Sequence, residues 1–319
     1  MLPSSRIFIA GHRGLVGSGI LRKLAADGFS NLLTRSRAEL DLTDAAAVFG
    51  LFEQYPPEFV FLCAAKVGGI LANTTYPADF IYSNLAIQLN VIEASRRAGV
   101  RRLLFLGSSC IYPRDCPQPI REEYLLSGPL ESTNRAYAAA KIAGIEMCRA
   151  YNTQYGVRYL PVMPTNLYGP GDNFNLETSH VLPALVRKAH EAKLQGLPCL
   201  TVWGTGTVRR EFLYSADLAD AAVFLMNLPD AAFDAVCRHD PPLLNIGCGE
   251  DLTIRELVEL VMETVGYHGQ VVYDAGKPDG TPRKLLDVGR MRSLGWSART
   301  PLRQGLALFY EAFLQEQAK

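Results

Sequence analysis

The sequence predicts an α/β fold in which a doubly wound parallel sheet is followed by a smaller C-terminal lobe. Through the first half, short runs rich in Val, Ile, Leu and Phe alternate with longer helical patterns, which is typical of βαβ units. The first of these runs leads directly into a glycine-rich turn. Beyond residue 164 the rhythm becomes irregular and rich in Gly and Pro, which indicates that a second lobe begins there.

Each predicted element carries its own local signal. The strand candidates are short apolar runs at residues 6–10, 31–34, 59–63, 102–106 and 158–162. Helical periodicity predicts helices over residues 15–26, 79–98, 137–155, 180–194 and 253–265. Gly28, Gly99 and Gly156 stand where the first three of these helices end, and Thr43 is the expected N-cap of a helix after the second strand.

Composition and charge exclude several classes of protein. The 319 residues include 32 basic and 32 acidic side chains, so no net charge attracts nucleic acid or an anionic membrane. No apolar run approaches the roughly 20 residues that span a bilayer, and the N-terminal segment lacks a secretory pattern. Seven irregularly spaced cysteines without a Cys-x-x-Cys argue against a disulfide framework or a zinc site. We therefore expect a soluble cytoplasmic protein without metal, nucleic-acid or membrane partners.

The turn after the first strand has the spacing of a phosphate-binding loop. Residues 11–17 read Gly-His-Arg-Gly-Leu-Val-Gly and open the first predicted helix. Glycines let the backbone approach a pyrophosphate, whose charge is met by unpaired N–H groups at the helix N-terminus. A glycine-rich turn without a ligand is the alternative, but its place at the first strand-to-helix junction favours a dinucleotide. The expected contacts are Gly11, His12, Arg13, Gly14, Leu15, Val16 and Gly17.

The end of the second strand indicates which dinucleotide binds. An NAD enzyme usually places an acidic residue there for the ribose hydroxyls. This sequence instead has Arg35 and Arg37, with Arg13 inside the glycine turn. Guanidinium groups bind a 2′-phosphate through paired hydrogen bonds, so the pattern favours NADPH over NADH. Asp41 is expected near the adenine, and a solvated arginine patch is the alternative interpretation.

A tyrosine and a lysine four residues apart indicate reductase chemistry. Tyr137 and Lys141 fall on one face of a predicted helix, where the ammonium is expected to lower the pKa of the phenol toward the working range. Ser108 and Ser109 follow the fourth strand, where they can hydrogen-bond a developing oxyanion. An exposed helix pair without a catalytic role is the alternative.

A second Tyr-x-x-x-Lys string tests how specific this signal is. Tyr273 and Lys277 have the same spacing as the first pair. Gly276 interrupts this string and Pro278 follows it, so a regular helix is excluded there. Only the first pair is therefore predicted to present both side chains on one helical face.

Together these residues resemble the extended short-chain dehydrogenase/reductases. Longer strings strengthen the resemblance, which runs from residue 7 to about residue 296; they are residues 11–14, 64–69, 107–113, 164–170 and 277–287. We accordingly expect an NADP(H)-binding Rossmann domain over residues 1–165. Residues 166–319 are expected to form mainly a substrate-binding lobe, with some segments returning to the Rossmann domain.

The longer strings are similar to those of family members that act on a GDP-linked 4-keto-6-deoxy sugar. The resemblance implies a homodimer that inverts C3 and C5 of GDP-4-keto-6-deoxy-D-mannose and then reduces C4 with NADPH. By similarity, Cys110 is the thiolate base and His180 the acid on the opposite face. The ordinary explanations are that the cysteine is a small buried hydrophobe and that the histidine only caps a helix.

The same resemblance supplies the remaining site residues. Ser108, Tyr137 and Lys141 are implied to be catalytic. Besides the glycine turn, Arg37 and Asp41, the cofactor is implied to contact Leu106, Gly107, Lys141, Pro164, Asn166, Leu167 and His180. The nucleotide sugar is implied to contact Lys188, Trp203, Arg210 and Asp279. Lys188 departs from the arginine expected in some relatives, and a lone ammonium lacks the bidentate fork.

Two other functions compete with this interpretation. One is another nucleotide-sugar epimerase or dehydratase that recycles tightly held NAD, against which Arg37 argues because it replaces an acidic residue. The other is a non-enzymatic NADP-sensing regulator that kept the glycine turn. The intact set of Ser108, Tyr137 and Lys141 argues against that.

Overall fold

The computed structural model describes residues 1–277 and 279–318. Its strands are β1 (Ile7–Ala10), β2 (Leu32–Leu33), β3 (Phe59–Leu62), β4 (Arg102–Leu106), β5 (Tyr159–Pro164), β6 (Asn166–Tyr168), β7 (Cys199–Trp203), β8 (Arg209–Arg210), β9 (Phe212–Tyr214), β10 (Leu244–Ile246), β11 (Leu252–Thr253), β12 (Gln270–Asp274) and β13 (Arg283–Lys284). Its helices are α1 (Leu15–Ala26), α2 (Ala45–Gln54), α3 (Ile70–Thr75), α4 (Pro77–Arg97), α5 (Arg135–Tyr155), α6 (Val181–Leu194), α7 (Ser215–Met226), α8 (Asp230–Cys237), α9 (Ile254–Val265), α10 (Gly289–Ser293) and α11 (Leu302–Gln317). Short 3₁₀ turns lie at Ser109–Ile111, Glu122–Tyr124 and Ser132–Asn134.

Six strands form one parallel sheet at the centre of the molecule. Their order is β10-β5-β4-β3-β1-β2, and each described pairing is parallel. The chain runs outward in opposite directions from β1 and β3, so a crevice lies at the carboxyl ends of these two strands. The predicted doubly wound sheet is confirmed.

The five strand candidates all lie in this sheet, with changes at their ends. β4 has the predicted bounds, whereas β2 is reduced to two residues that pair with Ile7 and Phe8. The sixth strand, β10, comes from the second half of the chain and pairs with β5. The chain therefore returns to the central sheet after its second lobe has begun.

The predicted helices are present, but one predicted cap is wrong. α1 has the predicted bounds, and α5 ends at Tyr155 before a left-handed Gly156. Asp44, and not Thr43, caps α2 by accepting from the Ala47 N–H, because the Thr43 hydroxyl is engaged with Asp41. The six-residue helix α3 was not predicted, since it is too short to show a period.

Helices cover both faces of the sheet. α1 packs on α7 on one side, and α4 packs on α5 on the other. Along β1 the side chains alternate, with Ile7 and Ile9 in one apolar cluster and Phe8 and Ala10 in the opposite one. β1 is thus buried on both faces, which fixes the point from which the glycine turn leaves.

The second lobe has its own apolar cluster and short strands. α6, α9 and α11 contribute to this cluster. The small sheets pair β6 with β9, β7 with β12, and β8 with both β11 and β13. Because β6 begins two residues after β5 ends, the lobe starts at the carboxyl edge of the central sheet. Among the described helices, none has the length and apolar character needed to cross a bilayer.

Candidate active site

The glycine turn is shaped by close approaches between backbone segments. Gly11 has a left-handed φ of 87°, and a Cβ there would come within 2.8 Å of the Ala64 nitrogen. A Cβ on Gly17 would come within 2.1 Å of the Gly11 carbonyl oxygen. These two glycines are therefore required for the turn and α1 to pack at the end of β1.

Gly14 is different, because the protein itself leaves room for a side chain there. Within the described part of the chain, a Cβ on Gly14 would meet only the Gly11 oxygen, at an ordinary 3.5 Å. Gly14 is the N-cap of α1 and makes no side-chain cap. The Nδ1 atom of His12, which is buried, has no partner in the described residues. Free space and unpaired N–H groups at a helix N-terminus fit a bound pyrophosphate.

The residues after β2 present positive charge to solvent. Arg37 is almost fully exposed, and its Nε atom lies 3.9 Å from Oδ2 of Asp41. The Asp41 carboxylate accepts from the Thr43 N–H and hydroxyl at 2.9 and 2.8 Å, and these bonds lower its pKa. Arg13 is also exposed at the glycine turn. The guanidinium groups are thus available to an anion, as the NADPH hypothesis requires.

Lys141 is buried on α5 and points back to the sheet. Its Nζ atom donates to the Leu106 carbonyl oxygen at 2.7 Å, at the end of β4, and lies 4.8 Å from the Phe105 ring centroid. Burial lowers the pKa of Lys141 to about 8. The ammonium is 5.9 Å from the centroid of the Tyr137 ring, so the two predicted partners share one face of the helix.

The expectation that Lys141 lowers the pKa of Tyr137 is wrong in this structure. Burial, followed by the neighbouring Cys110 sulfur, raises the pKa of Tyr137, and a hydrogen bond with Ser108 offsets only part of this rise. The Tyr137 ring also packs edge-on against Phe80, with ring centroids 6.4 Å apart. Tyr137 is consequently held as a neutral phenol, the form that donates a proton.

The segment after β4 carries Ser108, which is followed by the 3₁₀ turn that contains Ser109 and Cys110. The Ser108 hydroxyl accepts from the Cys110 N–H at 3.2 Å, which makes Ser108 the cap of this turn. Ser108 is half-buried and lies beside Tyr137, whereas Ser109 is buried. Gly107 is required for packing, because a Cβ there would come within 2.2 Å of the Met163 side chain.

Two nitrogen donors converge on the sulfur of Cys110. The Asn134 Nδ2 atom is 3.2 Å away, and the Lys284 Nζ atom is 3.5 Å away. Cys110 is partly exposed and borders a small cavity of about 40 Å³. A partly exposed thiol with two polar neighbours differs from the small buried hydrophobe of the alternative interpretation.

His180 stands directly before α6 without capping it. In the described structure its side chain makes no cap hydrogen bond, so the capping explanation fails. Partial desolvation, followed by the positive charge of Lys284, lowers the pKa of His180. The Lys284 ammonium, 3.5 Å from the Cys110 sulfur, is therefore also near enough to His180 to affect its pKa. His180 as a whole residue is exposed.

Residues at the end of β5 connect the sheet to the second lobe. Pro164 ends β5, and Asn166 begins β6, with its Nδ2 atom donating to the Glu211 carbonyl oxygen at 2.8 Å. Leu167 packs against the apolar cluster that contains β1. These three residues lie along the carboxyl edge of the sheet, where the nicotinamide was expected.

The four residues expected to bind the nucleotide sugar lie in two pairs. The Lys188 Nζ atom lies 5.5 Å from the Trp203 ring centroid, and the indole is more than half exposed. The Arg210 Nη2 atom donates to the Asp279 carbonyl oxygen at 3.1 Å. The Asp279 carboxylate accepts from the N–H and hydroxyl of Thr205, both at 2.8 Å.

Sequence reasoning missed three polar residues of this region. Asn134 and Lys284 contact Cys110, and the Lys277 Nζ atom lies 5.2 Å from the Trp203 ring centroid, making a second ammonium on that indole. Lys277 and Lys284 lie in one of the strings that carried the resemblance, but a string alone does not show which residues meet. Tyr273 lies on β12, so its pairing with Lys277 is not helical, and Pro278 lies outside the described residues.

A larger hollow elsewhere on the surface does not coincide with this site. It has a volume of about 530 Å³ and lies between the end of α5 and α8. Two of its arginines form ion pairs, Arg149 at 2.8 Å from Asp240 and Arg158 at 2.6 Å from Asp234. The reactive side chains gather instead at the carboxyl edge of the sheet.

The crevice, the glycine turn and the helix with Tyr137 and Lys141 together define an extended short-chain dehydrogenase/reductase. The chain belongs to the NAD dependent epimerase/dehydratase family, whose model matches residues 7–247. It is 55% identical over 312 residues to GDP-L-fucose synthase 1 of Arabidopsis thaliana, which covers 98% of this chain and 94% of the relative. It is 53% identical over 319 residues to the GDP-L-fucose synthase of Escherichia coli (strain K12), which covers 99% and 98%.

A solved structure shows that the fold, too, is that of a related reductase. The GDP-mannoheptose C4 reductase from Campylobacter jejuni with NADP bound matches with a TM-score of 0.89 at 39% identity, covering 98% of this chain and 99% of that one. The predicted family and fold class are therefore both confirmed.

Proposed function

We propose that this protein converts GDP-4-keto-6-deoxy-D-mannose to GDP-L-fucose by inverting C3 and C5 and reducing C4 with NADPH. The observation that carries the proposal is the turn after β4, where Cys110 with two nitrogen donors follows Ser108, the neighbour of Tyr137. The segment after β4 thus carries the thiol proposed for proton abstraction and lies beside the phenol on α5 proposed for proton donation. The relatives named GDP-L-fucose synthase, at 53% and 55% identity, support the same reaction.

NADPH supplies the hydride that reduces the C4 ketone. The open space at Gly14 and the start of α1 suit its pyrophosphate, and Arg13 and Arg37 suit its 2′-phosphate. Leu106, Gly107, Pro164, Asn166 and Leu167 would line the nicotinamide half along the sheet edge. The bound NADP of the Campylobacter jejuni reductase supports this choice of cofactor.

Epimerisation requires a base and an acid on opposite faces of one carbon. The Cys110 thiolate takes the proton from the carbon next to the ketone, and the electron pair of that C–H bond delocalises onto O4 as an enolate. Ser108 and Tyr137 hydrogen-bond this oxyanion. His180 returns a proton to the other face, which inverts the carbon, and both groups re-equilibrate with solvent before the second inversion. Lys284 places its ammonium 3.5 Å from the reacting sulfur.

Reduction follows at C4 once both carbons are inverted. With NADPH bound, its hydride would reach C4 while Tyr137 donates its proton to the oxygen as the C4–O double bond opens. The raised pKa of Tyr137 keeps this proton in place at neutral pH. Lys141 holds its positive charge nearby, fixed by its hydrogen bond to Leu106, and so favours the phenolate that remains.

The nucleotide sugar would be held by the second lobe. Lys188 and Lys277 bring two ammoniums to the exposed Trp203 indole, a combination suited to a nucleotide base beside a diphosphate. Arg210 and Asp279 would contact the rest of the substrate. Lys277 adds a second ammonium beside Lys188, which lacks the bidentate fork of the arginine expected in some relatives.

We further propose that the protein acts as a cytoplasmic homodimer. Tyr82 and Leu89 lie two helical turns apart on α4 and are 70% and 50% exposed, which supports burial against a second copy. All seven cysteines are free thiols, in keeping with a reducing compartment. Sedimentation analysis should give twice the mass of the chain, and a monomer at micromolar concentration would contradict the proposed dimer.

The proposed reaction is tested by incubating the protein with NADPH and GDP-4-keto-6-deoxy-D-mannose. Loss of NADPH absorbance should equal the GDP-L-fucose formed, mole for mole. Tyr137→Phe should lower the rate of hydride transfer by about a hundredfold or more, because the proton donor is lost. Tyr273→Phe is the matched control, since Tyr273 also precedes a lysine by four residues, and its rate should be close to that of the wild type. Catalysis that retains NAD and yields no net oxidation of NADPH would favour a 4-epimerase or dehydratase instead.

A further inference from the structure

The connection between β3 and α4, together with the start of α4, lies against several of the segments that carry the proposed reaction. It contains α3 and the glycines before it, Gly68 and Gly69. Phe80, near the start of α4, contacts the Tyr137 ring. α3 packs against the 3₁₀ turn Ser132–Asn134, from which Asn134 reaches the Cys110 sulfur. The connection therefore lies between groups that are far apart in sequence.

Gly69 also ties this connection to the loop that ends at His180. Its N–H donates to the Thr178 carbonyl oxygen at 3.1 Å. Its φ is −66°, which any residue can adopt, so the backbone does not require glycine at this position. Space does require it, because a Cβ on Gly69 would lie 3.0 Å from the Ser179 carbonyl oxygen. The residue before His180 is thus held against Gly69 without room for a methyl group.

Asn73 holds the backbone conformation of Gly68 and Gly69. It is buried in the first turn of α3, and its Nδ2 atom donates to the carbonyl oxygens of Gly68 and Gly69 at 2.8 and 3.0 Å. The Asn73 N–H donates to the Gly69 oxygen as well. Three hydrogen bonds from one residue therefore hold the two-glycine segment in the conformation that meets the His180 loop.

We propose that Gly69 and Asn73 are positioning residues for epimerisation, which set His180 opposite Cys110 across the sugar. α3 serves as the common support, since one side of it contacts the turn that carries Asn134 and its N-terminal glycines contact the loop that carries His180. The proposal rests on the proposed function. It assigns to this connection a role in the proton transfers at C3 and C5 and none in hydride transfer at C4.

Gly69→Ala tests the proposal with a small displacement. The added methyl must push the Ser179 carbonyl, and with it His180, by a few tenths of an ångström. Misplacement of this size should slow solvent deuterium exchange at C3 and C5 by about tenfold. Hydride transfer is measured separately in the reverse direction, with GDP-L-fucose and NADP⁺, and should stay within about twofold of the wild type. Gly50→Ala on α2 is the matched control, because a Cβ there meets nothing within 4 Å among the described residues.

Asn73→Ala provides a second variant that keeps Gly69 unchanged. It removes both side-chain donors from the glycine carbonyls and should show the same split between deuterium exchange and hydride transfer, with unfolding temperatures recorded for every variant. Unchanged deuterium exchange in folded Gly69→Ala and Asn73→Ala would overturn the proposal, as would a parallel loss of exchange and hydride transfer. A wild-type protein that neither exchanges nor transfers hydride would instead overturn the proposed function.

Discussion

At the scale of single residues, burial shifts the pKa values of two neighbours in the site, Tyr137 and Lys141, in opposite directions. Burial raises the pKa of Tyr137 and lowers that of Lys141, so each is driven toward its neutral form. A neutral phenol suits a proton donor, whereas a neutral amine cannot favour the phenolate that follows. The charge state of Lys141 therefore sets the upper pH limit of reduction.

The rate of hydride transfer should fall as pH rises through about 8, the pKa of Lys141. Below that pH the ammonium is charged and supports proton loss from Tyr137. Because the pKa of Lys141 in the folded protein is below the ordinary lysine value of 10.5, the unfolded chain binds more protons between these two pH values. The contribution of Lys141 to stability therefore rises with pH across this window, so the loss of rate is not unfolding. Single-turnover rates and unfolding free energies at each pH check this, and a rate that stays level up to pH 10 would contradict it.

Arg37 should determine the preference for NADPH. Its guanidinium is exposed and can hydrogen-bond a 2′-phosphate. Arg37→Ala should therefore raise the Kd for NADPH by about tenfold and leave the Kd for NADH unchanged. Arg238→Ala is the control, because Arg238 is an exposed arginine directly after the last residue of α8. Fluorescence titration of both dinucleotides gives the two constants, and equal weakening of both would remove Arg37 from the phosphate site.

The residues around Cys110 show where prediction from sequence stops. The position of Cys110 after β4 can be predicted from the sequence, but its hydrogen-bond donor Lys284 is 174 residues away in the chain. Local spacing carries no information about that contact, because the second lobe brings β13 to the sheet edge. The expectation of a lowered pKa for Tyr137 was wrong for a related reason, since its burial depends on packing against Phe80, 57 residues earlier in the chain.

At the scale of elements, α1 was the most predictable and α3 the least. α1 combines a glycine-rich start, an apolar stripe and a glycine stop, so its bounds follow from the sequence. α3 has six residues and no period, and it is held by Asn73 and by contacts from distant segments. The prediction of Thr43 as the cap of α2 was wrong for a simpler reason. Thr43 and Asp44 are both good N-cap residues, and the Thr43 hydroxyl donates its hydrogen bond to Asp41.

The start of α1 offers a matched pair of glycine variants. Gly17→Ala should destabilise the fold, because its methyl would overlap the Gly11 oxygen at 2.1 Å. Gly14→Ala should leave stability within about 1 kcal/mol, since the protein has room there, yet it should weaken NADPH binding by at least about tenfold if the pyrophosphate lies against Gly14. Thermal unfolding and NADPH titration separate the two effects. A Gly14→Ala variant that binds NADPH normally would place the pyrophosphate elsewhere.

At the scale of the whole molecule, Glu211 joins the central sheet to the second lobe. Its buried carboxylate accepts from the Gly249 and Leu286 N–H groups at 2.7 and 3.0 Å, and its backbone oxygen accepts from Thr165 and Asn166. Burial raises the pKa of Glu211. Glu211 is thereby hydrogen-bonded to three other segments of the chain, a role that periodicity and motifs did not reveal.

Glu211→Ala should lower the free energy of unfolding by about 3 kcal/mol, because two buried N–H groups lose their acceptors. Glu250→Ala, an exposed neighbour, should change it by less than about 0.5 kcal/mol. Chemical denaturation provides both values. Similar stabilities for the two variants would show that the junction does not depend on this carboxylate.

The central claim is that one cleft performs two inversions and one reduction, and the isotope pattern of the product tests it most directly. GDP-L-fucose formed from GDP-4-keto-6-deoxy-D-mannose and unlabelled NADPH in D₂O should carry deuterium at C3 and C5 and protium at C4. Cys110→Ser should lose most of the deuterium entry while it still transfers hydride to C4. A wild-type product without deuterium at C3 and C5, or full deuterium entry in Cys110→Ser, would contradict the account.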